Sequence, residues 1–281
     1  MEITPKKLLE SDDKIASLPT VFYQILDAVQ SPESSFDDIG KLIASDFSLV
    51  AQLLKLVNSS FYGFPEKIDS IPHALNIIGT EQLCCLVMAS AVVARFDGIP
   101  EEFVTMESFW HHSVACGLAA RSIAKHKNFS NPESLYVAGM LHDIGSLVIY
   151  KQIPNQALQA LNRCNQWGIP LAQAEKEVFG FDHTLIGKLL IEQWKLPESW
   201  SEVAQFHHNP TGSIEYAEQT AIVHLADHIA HNSRLGSAGY SGIKSLDSIV
   251  WETLNIDPSI KGLVYREMLQ LFGETVEMFI N

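Results

Sequence analysis

The sequence contains 281 residues, of which 47% are hydrophobic and 19% are charged, and this predicts a folded, globular protein with a sizeable core. Its length fits one elongated domain or two fused lobes. The 33 acidic residues outnumber the 19 Lys and Arg and give a formal net charge of -14, which repels phosphate backbones and anionic membranes and excludes nucleic acid as an expected partner.

The first residues carry several acidic side chains and lack the basic and apolar regions of a signal peptide, so we expect a cytoplasmic protein. The most apolar stretch, residues 83–96, is interrupted by Arg95 and is shorter than the roughly 20 residues of a membrane-spanning helix, which indicates a buried core helix and no membrane association. No cysteine pair has metal-finger spacing. We expect reduced core thiols at Cys84, Cys85, Cys116 and Cys164.

Helical periodicity runs through nearly the whole chain without a convincing alternating strand pattern, which predicts an all-α fold. Ser35 is a suitable cap for a helix over residues 36–44. Asp46 is a suitable cap for the next helix, residues 47–59, which has apolar residues on more than one side. We therefore expect this second helix to lie at the centre of an N-terminal lobe.

Pro72 suits the first turn of a further short helix that ends near Gly79, and a long apolar helix is expected to begin at Glu81. The segment 96–106 combines glycine, proline and acidic residues, which is typical of a boundary. We therefore assign residues 1–103 to an N-terminal helical lobe.

Ten of the eleven histidines lie beyond residue 110, so any chemistry is expected in a second helical lobe, residues 104–235. A segment rich in small residues, 232–242, precedes a C-terminal helical tail assigned to residues 236–281. Residues 264–280 are expected to form the last helix.

The strongest single motif is the adjacent pair His142 and Asp143 at the end of an apolar helix. Gly145 follows and is able to take a left-handed C-cap conformation. Successive helical residues diverge by about 100°, so the pair can share a metal only over the groove between them. A neighbouring helix must then supply further ligands.

The expected source of those ligands is a helix over residues 108–125, which carries His111 and His112. Asp227 lies on a later apolar helix and would complete a set of four ligands. Imidazole and carboxylate ligands together suit Mn, Fe or Zn, and suit Mg least.

His183 and the pair His207 and His208 lie near helix ends and could serve a second metal. Each piece also has an ordinary explanation. Asp182 can cap a helix at His183, the histidine pair can be favoured by a helix dipole, and Asp227 can belong to an exposed acid-histidine face. The order of all pieces on successive helices favours one common site.

This order resembles the HD superfamily of metal-dependent phosphohydrolases, and residues 18–229 are similar to its HDOD branch. The motifs that carry the resemblance are Leu18-Pro19, Ile43-Ala44-Ser45-Asp46, Leu53 to Ser59, Phe61-Tyr62-Gly63, Ala74-Leu75, Ile78-Gly79, Phe109 to Ser113, Gly139 to Gly145, Gly180 to His183 with Gly187, Trp194 to Pro197, His207 to Pro210, and His224 to Asp227.

The resemblance implies an N-terminal helical lobe packed on an HD-like helical lobe. It also implies the metal ligands, with His112 preferred over His111: the core positions are His112, His142, Asp143 and Asp227. The positions used for added metals in HD-GYP relatives are His183, His207 and His208. Asp143 would be the catalytic residue of an active enzyme, where it would bridge or position a metal-bound water.

Three departures weaken the catalytic interpretation. Ser146 stands where HD-GYP proteins have a phosphate-binding lysine, Ser108 stands where they can supply a glutamate, and the Gly-Tyr-Pro loop is absent. Without the lysine that would bind the substrate phosphate, the transition state is less stabilised even where metal remains. HDOD proteins are generally regarded as output or scaffolding domains of bacterial signalling.

We therefore expect a regulatory domain with a His/Asp metal-type site and little or no hydrolysis. Its cleft between the lobes would bind a signalling protein or a phosphorylated small molecule. The first alternative is a phosphohydrolase acting on a nucleotide or phosphomonoester. The second alternative is a scaffold in which the His/Asp cluster is only a buried polar network. The oligomeric state is left open.

Overall fold

The structure is a computed structural model that describes residues 3–93, 95–96, 99, 101–239 and 246–279. Within these ranges the elements are helical and no strand occurs, so the predicted all-α fold is confirmed. The helices up to residue 93 are α1 (Pro5–Glu10), α2 (Asp13–Ala16), α3 (Thr20–Gln30), α4 (Phe36–Ala44), α5 (Phe47–Val57), α6 (Ile71–Ile78) and α7 (Thr80–Val93).

The helices from residue 106 onward are α8 (Met106–His126), α9 (Pro132–Leu141), α10 (Ile144–Gln152), α11 (Pro154–Trp167), α12 (Leu171–Phe179), α13 (His183–Gln193), α14 (Glu198–Phe206), α15 (Ala217–Ser233), α16 (Ile249–Leu254) and α17 (Ile260–Phe279). A short 3-10 turn, Pro210–Gly212, separates α14 from α15.

The predicted caps of α4 and α5 are confirmed, since the side chains of Ser35 and Asp46 accept hydrogen bonds from backbone N–H groups in the first turns. Helix α5 ends at Val57, two residues before its predicted end. The cause is Asn58, whose Nδ2 donates to the Ile68 carbonyl at 2.6 Å and whose Oδ1 accepts from the Ile68 N–H at 2.7 Å. These bonds hold the segment around Ile68 against the C-terminus of α5.

Helices α6 and α7 meet at Gly79, whose φ of 96° lies in the region that favours glycine. Helix α7 begins at Thr80, one residue earlier than predicted. No single helix among the described residues is long and apolar enough to cross a membrane; α6 and α7 satisfy that test only as a pair bent by 118°. All four cysteines are free and buried, as predicted.

Helix α8 lies at the centre of the second lobe, where it packs against α9, α15 and α17. It begins at Met106, two residues before the predicted start, because Thr105 accepts a hydrogen bond from the Ser108 N–H and caps it. Helix α17 likewise begins at Ile260 rather than at residue 264. Residues 97, 98 and 100 of the predicted boundary, 240–242 of the predicted loop, and 280 of the last predicted helix lie outside the described residues.

The two lobes share extensive contacts. Arg121 of α8 is 4% exposed, lies 3.8 Å over the ring centroid of Phe61, and donates to Glu133 of α9 at 3.1 and 3.2 Å. The chain start also reaches the second lobe, since Trp194 Nε1 donates to the Ile15 carbonyl at 2.8 Å. The lobe limits at residues 103 and 235 stay predictions.

Candidate metal centre

Four of the predicted residues form a first cluster. His112 Nε2 lies 3.2 Å from Asp227 Oδ1, and His142 Nε2 lies 3.6 Å from the same oxygen. Asp143 Oδ2 lies 3.1 Å from His142 Nε2 and 3.9 Å from His112 Nε2. Two imidazoles and two carboxylates from α8, α15 and the junction between α9 and α10 thus converge on one small volume.

The second cluster uses the other oxygen of Asp143. Its Oδ1 lies 3.2 Å from His207 Nε2 and 3.5 Å from His183 Nε2. His208 Nε2 completes the cluster at 3.0 Å from His183 Nε2 and 3.1 Å from His207 Nε2. The structure therefore brings all seven predicted residues together, and Asp143 stands between the two clusters with one oxygen towards each.

His111, the alternative to His112, lies outside both clusters, with its ring against Phe272 of α17 at a centroid distance of 5.5 Å. Asp227 is 2% exposed, so the alternative of an exposed acid-histidine face is wrong. Its neighbour His224 supports the local fold: Nδ1 donates to the His207 carbonyl at 2.5 Å, and Nε2 accepts from the Asp247 N–H at 3.1 Å.

Glycines allow the helices that carry these ligands to approach closely. A Cβ atom on Gly139 of α9 would lie 3.0 Å from the Gly117 Cα of α8, so the two backbones are in contact. A Cβ atom on Gly145 would overlap the carbonyl oxygen of His183. Only glycine fits at position 145, because α10 packs directly on α13 there. The left-handed C-cap considered for Gly145 is wrong, since α10 runs through this residue. These contacts bring His183 to Asp143.

Hydrogen bonds at Nδ1 fix the orientation of three rings. His142 Nδ1 donates to the Gly139 carbonyl at 2.7 Å, and His207 Nδ1 donates to the Ala204 carbonyl at 2.9 Å. Because a carbonyl can only accept, the neutral form of each ring presents an Nε2 lone pair to its cluster. This is the tautomer that a metal ion requires.

The third ring is held by Glu175, a residue that the sequence analysis missed. Glu175 is 1% exposed, and its Oε2 accepts from His183 Nδ1 at 2.6 Å and from the His183 backbone N–H at 2.9 Å. The sequence held one available signal, since Glu175 shares a helix face with the apolar Leu171 one turn earlier. An acidic residue on an apolar face calls for a buried partner.

Carboxylates control the protonation of the clustered imidazoles. Burial lowers the pKa of His142, but the charges of Asp143 and Asp227 outweigh it and hold that pKa well above its ordinary value. Burial also lowers the pKa of His183, and Glu175 and Asp143 outweigh it and raise the pKa to about 9. In the absence of a cation, protons therefore stabilise these buried carboxylates.

The donor set fits divalent transition metals. Five imidazole nitrogens and two carboxylates lie in two groups whose ligand atoms are within 4.8 Å of one another. His208 Nε2 faces the Nε2 atoms of His183 and His207 and can donate a proton to only one of them, whereas a cation accepts lone pairs from all three. Mixed imidazole and carboxylate ligands suit Fe, Mn or Zn better than Mg.

Comparison with known proteins identifies the family of the chain. The sequence matches the family model of the HDOD domain over residues 15–210. The chain belongs to the HDOD family. The resemblance inferred from the sequence motifs is thereby confirmed.

Solved structures share the fold of this HDOD protein. An HDOD domain protein of unknown function from Geobacter sulfurreducens superimposes with a TM-score of 0.78, at 24% identity over 99% of this chain and 97% of the other. A Shewanella amazonensis SB2B protein, provisionally named a phosphohydrolase, superimposes with a TM-score of 0.74, at 24% identity over 96% of both chains.

An uncharacterized protein of Treponema pallidum (strain Nichols) is 27% identical in a 220-residue alignment, which covers 76% of this chain and 42% of that protein. The HDOD protein therefore spans less than half the length of this relative.

The two serines that depart from the HD-GYP pattern have different surroundings. Ser146 is fully buried, and its Oγ has no hydrogen-bond partner among the described residues. Ser108 Oγ and its carbonyl oxygen both accept from the Ser237 N–H, each at 3.1 Å. Neither position brings a charged group to the clusters.

Proposed function

We propose that this HDOD protein is a regulatory signalling domain that binds divalent transition metals and has little or no hydrolytic activity. The supporting observation is the enclosure of the ligand set. Six of the seven residues, all except His208, are at most 2% exposed. Ligands this enclosed leave a substrate little access to the metal, which favours a structural or regulatory metal over a catalytic one.

The charge around the clusters also supports a non-hydrolytic role. The position of the phosphate-binding lysine is taken by the buried Ser146. Three lysines of this lobe instead form ion pairs with carboxylates outside the ligand set: Lys151 with Asp12, Lys176 with Asp182, and Lys188 with Glu192. Position 146 therefore offers no cationic side chain to bind a phosphate group.

The proposed ligands of the first metal are His112, His142, Asp143 and Asp227. Those of the second are Asp143, His183, His207 and His208. A bound metal would supply positive charge to the buried carboxylates and act as a Lewis acid towards any molecule that reached it. The residues themselves tie together α8, α13, α14, α15 and the α9–α10 junction. The proposed partner is a signalling protein, and the proposed location is the bacterial cytoplasm.

Metal analysis tests this proposal. Protein purified without chelators is expected to contain Fe, Mn or Zn, and Asp143→Ala is expected to lose it. An anomalous-scattering map around His142 would locate the ion. If native protein contains no transition metal, and His142→Ala changes neither metal content nor melting temperature, the cluster is a buried polar network and the metal proposal is wrong.

The second candidate function is metal-dependent hydrolysis of a nucleotide or phosphomonoester. It is favoured by the partly exposed His208, which gives the second cluster an edge towards solvent. The test is a broad panel of phosphate esters with Mn, Fe, Mg and Zn. Sustained turnover that Asp143→Ala abolishes and His111→Ala preserves would establish the enzyme and refute the non-hydrolytic proposal.

A further inference from the structure

A groove separates the two lobes, and none of the proposed metal ligands lines it. Helices α3 and α7 form one wall, and the first turns of α9 and α14 form the other. Its main part has a volume of about 460 Å³, and a narrower extension adds about 130 Å³. Volumes of roughly 300–1,000 Å³ are typical of small-molecule sites, which often lie between domains.

The main part of the groove combines an apolar body with a polar edge. Leu26 and Val29 supply partly exposed aliphatic surface. The polar edge consists of Gln30, Asn131, Ser134 and Ser199.

The groove carries one formal charge. Glu81 lines both parts, is exposed, and is the only Asp, Glu, Lys, Arg or His among the lining residues. Helices α7, α9 and α14 all begin here, and Glu81 and Glu198 offset the partial positive charge at the N-termini of α7 and α14. The net charge of the whole chain, -14, has the same sign as the charge of Glu81.

We propose that this groove binds a small organic amine, with its protonated amino group at Glu81 and its apolar body against Leu26 and Val29. Charge complementarity selects the ammonium group, because the lining offers a carboxylate and no cation. The same charge disfavours a phosphorylated molecule at this place. The proposal does not depend on metal binding.

The groove lies at the starts of two helices that lead to the metal centre. Asn131 and Ser134 line it at the start of α9, and the same helix ends directly before His142. Ser199 lines it at the start of α14, which ends directly before His207. A molecule in the groove therefore contacts two of the helices that position ligands of the two clusters.

Three probes with one skeleton and different charge test the proposal on the full chain: 2-phenylethylamine, 2-phenylethanol and phenylacetate, titrated by ligand-observed NMR. The amine is expected to bind most tightly and phenylacetate least. Glu81→Gln is expected to weaken amine binding two- to fivefold, about the range of an exposed ion pair, and to leave the alcohol unchanged. The control Glu66→Gln alters an exposed acid that does not line the groove and is expected to change nothing.

A variant that narrows the groove locates the binding. Val29 is partly exposed on α3, so Val29→Trp is expected to reduce the affinity for the amine and the alcohol while the melting temperature shows that the protein remains folded. Equal or tighter binding of phenylacetate, an amine affinity that is the same in Glu81→Gln, or undiminished binding in folded Val29→Trp would each overturn the proposal.

Discussion

Replacing Glu175 by alanine should separate the two proposed metal positions. The Glu175 carboxylate accepts two hydrogen bonds from His183, at 2.6 Å from Nδ1 and 2.9 Å from the backbone N–H, inside a region where it is 1% exposed. His183 belongs only to the second cluster. The substitution therefore removes the support of one ligand and leaves the first cluster, around His112 and His142, intact.

The size of the effect follows from the role of such a carboxylate. Removing a group that orients a metal-binding histidine costs about 10- to 100-fold in metal affinity, or roughly 1.4–2.8 kcal/mol. Glu175→Ala also leaves two donors of His183 without their acceptor in a buried place. Glu175→Gln keeps an oxygen that can accept both bonds and removes the charge, so its loss should be smaller. The charge and the hydrogen bonds can thus be distinguished.

The assay is metal stoichiometry by mass spectrometry together with calorimetric titration of Zn into metal-free protein. Wild type is expected to bind two ions, and Glu175→Ala is expected to hold one tightly. Glu177→Ala is the matched control, because Glu177 lies on the same helix, is exposed, and pairs with Arg163. Loss of both ions, or two ions with undiminished affinity, would refute the positioning role. A wild type without metal would instead refute the proposed function.

Three further predictions concern other parts of the protein. Asp143→Ala should abolish both metal positions, whereas Asp227→Ala should weaken only the first, as measured by the same stoichiometry. Because the pKa of His183 is raised to about 9, the stability that its proton adds to metal-free protein is present below about pH 6.5 and lost as the pH rises towards 9. Melting in chelator should follow that direction, and Zn affinity should rise with pH. Arg121→Met should cost about 3–5 kcal/mol in denaturant unfolding, because it leaves Glu133 buried without its cation, and adding Glu133→Gln should restore part of this loss.

The features that could be predicted from the sequence depend on residues close to one another in the chain. Ser35 and Asp46 cap the expected helices because capping depends on residues within one turn. The histidines and aspartates were found because their types and order along successive helices are recognisable, and the structure then brought all seven together. That these residues bind metal stays a prediction.

Tertiary packing decides the features that the sequence did not predict. Gly145 looks like a helix terminator in isolation, and only the approach of α13 explains why a side chain cannot fit there. Glu175 precedes His183 by eight residues, and a turn lies between them. Helical and strand periodicity apply within one element, so they do not predict this contact. Asn58 ends α5 through Ile68, ten residues later. Each of these roles depends on a contact with another element.

Helix α8 connects the proposed metal centre to the interface between the lobes. It carries His112 of the first cluster and, further along the same helix, Arg121, which packs on Phe61 and pairs with Glu133. A ligand present at 100 times its dissociation constant stabilises the folded state by about 2.7 kcal/mol. Metal binding at His112 would therefore stabilise the helix that holds both lobes together. Such a coupling needs no open coordination position and no phosphate-binding lysine, so a complete ligand set and a serine at position 146 are compatible with the proposed signalling role.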